Sequence, residues 1–321
     1  MNYYLWKKYF CPPLLLGRVL KKAQGLGRFI SERYPISDKQ NSLSSDPLFI
    51  ISSGRSGTTL MRSMLVAGGE VAIPAETQII HSLVIKYPLL FHLGWAELTR
   101  VVISDFEGSH NFPLWECNLA LAYVNAAKIP VEERSLARII DEVFKTYATQ
   151  KLPGAKLWGD QSPIHTFHLP YIHKIFPNGK FLHLLRDGRD VISSMVKRHG
   201  DGYLDEAIYR WKTSIRRTNL FKKEIHPEQY LEVRYEDLVQ YPEKTLTLVS
   251  GFLGVVYKPE MLDYWKKPST IENKYYDFHA NLGKPVFASS IGKWKERLSE
   301  EQQSFILKKI TPELQDLGFI E

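Results

Sequence analysis

Cysteine is nearly absent from this 321-residue chain: Cys11 and Cys117 are too few for a disulfide framework and show no zinc-ligand spacing. No Asn-x-Ser/Thr sequon occurs. Both absences favour a reducing, cytoplasmic compartment. No uninterrupted apolar run reaches the roughly 20 residues that span a bilayer. The N-terminal apolar stretch is short and is followed by charges, which fits a signal peptide poorly. Internal repeats and low-complexity segments are missing too, which excludes solenoid arrays. Net charge is scarce over most of the chain. Of the formal +7, residues 1–33 hold +6, leaving about +1 for the rest. A body so close to neutral argues against non-specific nucleic-acid binding as its task.

What is present at the N-terminus is basic and aromatic. Lys7, Lys8, Arg18, Lys21, Lys22, Arg28 and Arg33 accompany Tyr3, Tyr4, Trp6, Tyr9 and Phe10. Leu16, Val19, Leu20, Ala23, Leu26 and Ile30 recur at helical spacing. Two readings follow: a basic helix resting on the anionic lipid of a membrane's inner face, or a helix docked on the body. Ser37 to Asp46 reads as a polar linker. The expected division is an N-terminal arm and linker over 1–46 and one catalytic domain over 47–321.

The most informative stretch is Pro47 to Met61. An apolar run, Leu48 to Ile51, enters Ser52-Ser53-Gly54-Arg55-Ser56-Gly57-Thr58-Thr59, and a helical pattern opens behind it. That layout is a buried strand, a tight turn and a helix N-terminus. Such a turn gathers backbone N–H groups at the positive end of the helix dipole and binds a phosphate-like oxyanion. Gly54 and Gly57 permit its backbone torsions, Thr58 and Thr59 add hydroxyl donors, and Arg55 adds a fork-shaped charge. A Walker loop needs four residues between its glycines and then Lys-Ser/Thr. Here two separate Gly54 from Gly57 and no lysine follows, which argues against ATP or GTP.

A second buried strand, Lys180 to Leu185, runs into Arg186-Asp187-Gly188-Arg189-Asp190, and a helix with Val191, Ile192, Met195 and Val196 on its inner face follows. Arg186 falls at the carboxyl end of that strand, where open α/β sheets bind ligands. Ser194 lies eight residues on, roughly two helical turns along. A charge fork with a hydroxyl suits a second, dianionic phosphate.

Gly-Arg-Ser-Gly-Thr-Thr-Leu resembles the 5′-phosphosulfate loop of sulfotransferases that use 3′-phosphoadenosine 5′-phosphosulfate (PAPS), and Arg186 with Ser194 resembles their 3′-phosphate site. The likeness runs from about residue 47 to 318 and is nearest to the branch holding the tyrosylprotein sulfotransferases. It implies that Gly54, Arg55, Ser56, Gly57, Thr58, Thr59, Arg186 and Ser194 bind the co-substrate. Through Arg-Tyr-Glu-Asp-Leu (234–238) it places Tyr235 near the adenosine, and through Ser290-Ile291-Gly292-Lys293-Trp294 it puts Lys293 on a phosphate. Glu76 of the Glu-Thr pair matches the family's catalytic base, with His81, His165 and His168 as lesser candidates because other branches use histidine. Arg55 is expected to share the catalysis by balancing charge on the leaving 5′-phosphate. One departure stands out: Gln161 precedes Ser162-Pro163 where the family often carries lysine against the sulfuryl oxygens. The family needs no metal and no permanently bound cofactor.

Strands alternating with helices imply an α/β fold with a sheet covered on both faces. The expectation is a three-layer sandwich with a central, mostly parallel sheet, a P-loop-like nucleotide site and a helical cap over Tyr87 to Lys128. Glu76-Thr77 is expected to open a helix, Val131 to Gln150 to form another and Leu204 to Lys223 a third. Tyr230 to Leu238 is expected as an alternating strand entering a turn. The function implied is sulfuryl transfer from PAPS to an acceptor hydroxyl: protein tyrosine, glycan, lipid headgroup or small alcohol. The alternatives are a P-loop kinase-like enzyme and a nucleotide-binding relative without catalysis.

Overall fold

The computed structural model describes residues 34–90, 92–266 and 282–321. The basic aromatic segment lies outside the described residues. Five strands form one sheet: β1 (Leu48–Ile51), β2 (Val71–Ala72), β3 (Leu157–Asp160), β4 (Lys180–Leu185) and β5 (Tyr230–Arg234). Their order is β2-β3-β1-β4-β5, and every pairing is parallel, so the sheet expected as mostly parallel is wholly so among the described strands. In register, Leu48 faces Gly159 on one side and Lys180 on the other, while Leu182 faces Leu231. Burial on both faces explains why β1 reads as an unbroken apolar run rather than an alternating one.

Alternation nevertheless sorts its side chains. Phe49 and Ile51 pack under the cap with Trp115, Phe144, Trp158 and Phe181. Leu48 and Ile50 face the opposite layer with Met61, Met64, Leu182 and Leu246. The cap is helical, as expected: α1 (Thr58–Ala67) leads from β1 to β2, and α2 (Ile80–Lys86), α3 (Trp95–Glu107), α4 (Ala120–Ala127) and α5 (Leu136–Lys151) come before β3. After β3 come α6 (Leu169–Ile175), α7 (Gly188–His199) and α8 (Leu204–Glu224), then, beyond β5, α9 (Tyr235–Gln240) and α10 (Pro242–Leu253). The short α11 (Trp294–Arg297) and α12 (Glu300–Asp316) end the chain, α12 packing Ile306, Ile310 and Leu314 against Val191 and Trp211. No helix among the described residues is long and apolar enough to cross a membrane.

Four local expectations need correction. Glu76-Thr77 does not open a helix, because Gln78 has φ +57°, a left-handed torsion that no right-handed helix contains; α2 starts at Ile80. The helix expected from Val131 begins at Leu136, where Ser135 accepts the Arg138 N–H at 3.2 Å as an N-cap. The strand expected over Tyr230 to Leu238 ends at Arg234, and Tyr235 is the first residue of α9. Ser37 to Asp46 is not a free linker, since the 34–46 stretch is stitched to α5. The carbonyls of Pro35 and Ile36 accept from the N–H groups of Leu136 and Ala137, both at 3.0 Å. Ser44 donates to Asp141 at 2.6 Å through its hydroxyl. The two carbonyls satisfy N-terminal helix donors that have no partner within the helix.

Candidate active site

The loop between β1 and α1 is built on three left-handed torsions: Gly54 at φ +80°, Arg55 at +56° and Gly57 at +87°. Ser52 anchors its base by exchanging backbone bonds with the Thr166 hydroxyl at 3.0 and 2.7 Å. Ser56 turns inward, with its Oγ on the Gly54 carbonyl (3.2 Å) and near Ser53 Oγ (3.1 Å), so what it can offer a ligand is its backbone. Helix α1 starts at Thr58 with no side-chain cap, and its first N–H groups lack intrahelical acceptors.

This loop forms one wall of a cavity of about 880 Å³ at the carboxyl end of the sheet. The cavity also takes in Glu76, Arg186, Ser194 and Tyr235, so the sequence candidates from four separate regions meet. Arg55 Nε donates to Ser194 Oγ at 3.1 Å. Burial, and then the charges of Arg198, Arg186 and Arg297, lower Arg55 to about 10, with Glu76 pulling the other way. It stays charged at neutral pH inside a field of arginines that favours a polyanion.

Arg186 is held on three sides. Its guanidinium donates to the carbonyls of Arg55 (2.8 Å) and Ser290 (2.9 Å) and lies over the Tyr235 ring at 4.2 Å. Its Nε is buried without a partner, a donor waiting for an acceptor. Tyr235 and Ser290 share a 2.6 Å hydroxyl contact, and Asp190, fully buried on α7, accepts the N–H groups of Gly292 (2.7 Å) and Trp294 (3.0 Å). Those bonds pin the 290–294 segment over the site. Lys293 is not brought in: its Nζ pairs with Glu296 at 2.8 Å, while Arg297, one turn on, lines the cavity.

Glu76 sits in the turn between β2 and α2, with its carboxylate accepting the Gln78 amide at 2.8 Å. His81 and His168 line the same cavity as parallel stacked rings 4.0 Å apart. His165 does not belong with them. It is buried beside Asp160 at 2.8 Å, and burial holds its imidazole down at about 3. Gln161 is fully buried, and neither amide atom has a hydrogen-bond partner. Sequence reasoning missed Arg198, Arg297, Asn111 and Asp190. Arg198 had a signal, since it lies four residues after Ser194 on the same helical face; Arg297 had none.

A nucleotide with anionic groups at two positions fits these residues. One position is the loop and helix N-terminus, and the other is the fork of Arg186 with Ser194. Residues 47–259 match the model of the Sulfotransferase family. The chain belongs to that family. The sulfotransferase is 26% identical over 284 residues to a putative protein-tyrosine sulfotransferase of Caenorhabditis briggsae, covering 85% of this chain and 88% of that one. It is 28% identical over 258 residues to protein-tyrosine sulfotransferase 2 of Gallus gallus, covering 77% of this chain but only 62% of the chicken protein's length. In fold it is similar to the sulfotransferase domain of the Synechococcus PCC 7002 olefin synthase, with a TM-score of 0.58, 22% identity, and coverage of 86% of this chain and 98% of that one. The sulfotransferase is thus an enzyme that moves a sulfuryl group from PAPS to an acceptor hydroxyl.

Proposed function

We propose that this sulfotransferase acts on a phenolic hydroxyl, the side chain of a tyrosine in a polypeptide, with Glu76 as general base and Arg55 balancing the leaving group. The observation that carries the reading is that Glu76 and Arg55 line one cavity, close enough for the carboxylate charge to act on the guanidinium. An acceptor oxygen approaching between them forms its bond to sulfur as the bond from sulfur to the 5′-phosphate oxygen breaks. The acceptor proton passes to Glu76, and the charge left on the phosphate falls among Arg55 and the N–H groups at the start of α1.

A carboxylate is a weak base, so it suits an acidic hydroxyl. A phenol, at roughly pKa 10, loses its proton far more readily than an aliphatic alcohol near water's ~15.7. The relatives named protein-tyrosine sulfotransferases support the same acceptor. Cysteine usage supports a reducing, cytoplasmic setting for the chain, and the +6 charge of residues 1–33 supports their adsorption to anionic lipid there.

The test is transfer from sulfur-35-labelled PAPS to a tyrosyl peptide, to its phenylalanine counterpart and to a primary alcohol. Label on the tyrosyl peptide alone is expected. Label on the alcohol in preference would replace the phenol reading, and nucleotide binding without transfer to any acceptor would leave a non-catalytic relative.

A further inference from the structure

Behind the cavity wall, the turn that carries Glu76 hangs on one buried carboxylate. Asp160, fully buried at the end of β3, accepts from the Thr77 hydroxyl at 2.6 Å, from the Ser162 hydroxyl at 2.9 Å and from His165 Nε2 at 2.8 Å. The backbone N–H groups of Thr77 and Gln161 also donate to it. Ser162 Oγ in turn accepts the Gln78 N–H at 3.2 Å. Both residues that follow Glu76 are therefore tied to Asp160, one directly and one through Ser162. The other side of the turn is tied to the cap: Trp115 Nε1 donates to the Ala75 carbonyl at 3.0 Å, and Asn111 Nδ2 to the Glu76 carbonyl at 3.1 Å.

The tethering holds Gln78 in a left-handed torsion, φ +57°, which a non-glycine residue keeps only when its surroundings impose it. In that torsion the Gln78 side chain turns back and donates to Glu76 Oε2 at 2.8 Å.

We propose that Asp160 is a positioning residue for the base: through Thr77 and Ser162 it fixes the Glu76-Thr77-Gln78 turn, and the Gln78 amide then aims the Glu76 carboxylate into the cavity. The inference rests on the assignment of Glu76 as base. A carboxylate suits the place because three side-chain donors converge on its two oxygens; an amide would offer one acceptor oxygen and set its own N–H₂ against a donor. Burial raises Asp160 to about 6, so it is ionised at neutral pH and able to accept from all of them.

The test is a double-mutant cycle on the full chain, with sulfur-35-labelled PAPS and a tyrosyl peptide, and with folding checked by thermal melting. Thr77→Val removes one hydroxyl at nearly constant shape. It should lower kcat by about 10- to 100-fold, as misplacing a catalytic group does, with Kd for the desulfonated nucleotide within about twofold of the parent. Thr77→Ser should restore most of the loss. In a Glu76→Gln background, Thr77→Val should cost less than about twofold more, because the base it positions is gone. Asp160→Asn, where it folds, should behave as Thr77→Val does. Parent kcat in Thr77→Val, a matching loss of nucleotide affinity, or full multiplication of the two defects would overturn the inference while leaving the base assignment intact. Parent turnover in Glu76→Gln alone would overturn both.

Discussion

Gly57 and Tyr235 are packed so closely that a β-carbon on Gly57 would lie 2.5 Å from Cδ2 of the Tyr235 ring. That packing joins the loop after β1 to the start of α9, and the same ring carries Arg186 at 4.2 Å on its face. Gly57→Ala therefore meets two penalties, a left-handed φ of +87° and a ring that must move. The expected cost is about 2–4 kcal/mol, combining torsional strain with overpacking. Displacing the ring should also weaken nucleotide binding, measured by titration calorimetry with the desulfonated nucleotide. Unchanged melting and unchanged affinity would show that Tyr235 yields freely.

Arg186→Ala should weaken nucleotide binding by about 2–4 kcal/mol, the scale of deleting one member of a buried, charged hydrogen-bonded pair and stranding the other. Arg186→Lys should recover only part of this, because an ammonium cannot reproduce the fork that reaches the Arg55 and Ser290 carbonyls while leaving Nε for a ligand. Affinity equal to the parent in Arg186→Ala would remove this residue from the site.

Glu76→Gln should leave nucleotide affinity near the parent value and lower turnover by about 10²- to 10⁴-fold, the worth of a positioned base. If turnover stays near normal on a tyrosyl peptide, the stacked pair His81 and His168 on the same cavity wall would have to supply the base.

Stability should fall in acid, and His165 should account for much of the fall. Burial holds its imidazole at about 3 against an ordinary 6.5. Between those values the unfolded chain takes a proton that the folded protein does not, so stability present above pH 6.5 is lost as pH drops. Asp160 works oppositely: burial raises it to about 6, so the folded protein keeps that proton more readily and gains stability as pH falls through 6. The His165 displacement is the larger. His165→Gln keeps a donor for Asp160 and has nothing to titrate. Between pH 7.5 and 5 it should lose about 1–2 kcal/mol less than the parent, read from urea midpoints. Equal losses would clear His165 of the effect.

Gln161→Leu removes an amide whose oxygen and nitrogen are both buried without partners. Replacing such a group by an apolar one of similar size is near neutral or stabilising. The expected outcome is melting at or slightly above the parent temperature, with turnover within about threefold, because the amide is enclosed rather than on the cavity wall. A turnover loss of about 10²-fold or more, as for a missing oxyanion donor, would show that the amide reaches the sulfuryl group during transfer.

Much of this enzyme was legible in its chain because the signals were local. Leu48–Ile51 announces a buried parallel strand by unbroken apolarity and Lys180–Leu185 by an apolar run that only Lys180 and His183 interrupt, and Gly57-Thr58-Thr59 announces a helix N-terminus by its backbone demands. Arg186 and Ser194 share a helix-spaced pattern, so their joint appearance at one site needed no knowledge of the rest of the fold. Tertiary structure decided what depends on groups distant in sequence. Gln78 at φ +57° cut short an expected helix because Ser162, 84 positions away, takes its N–H. Ser37 to Asp46 looked like a linker by polarity, yet Ser44 finds Asp141 across 97 positions. Lys293 carried the matching motif, but its Nζ pairs with Glu296, and Arg297 took the cavity wall instead. The division has one physical cause. Backbone torsion and periodic burial are set by neighbours along the chain, whereas a side chain's partner is set by whichever charge or hydrogen-bonding group the fold brings within reach.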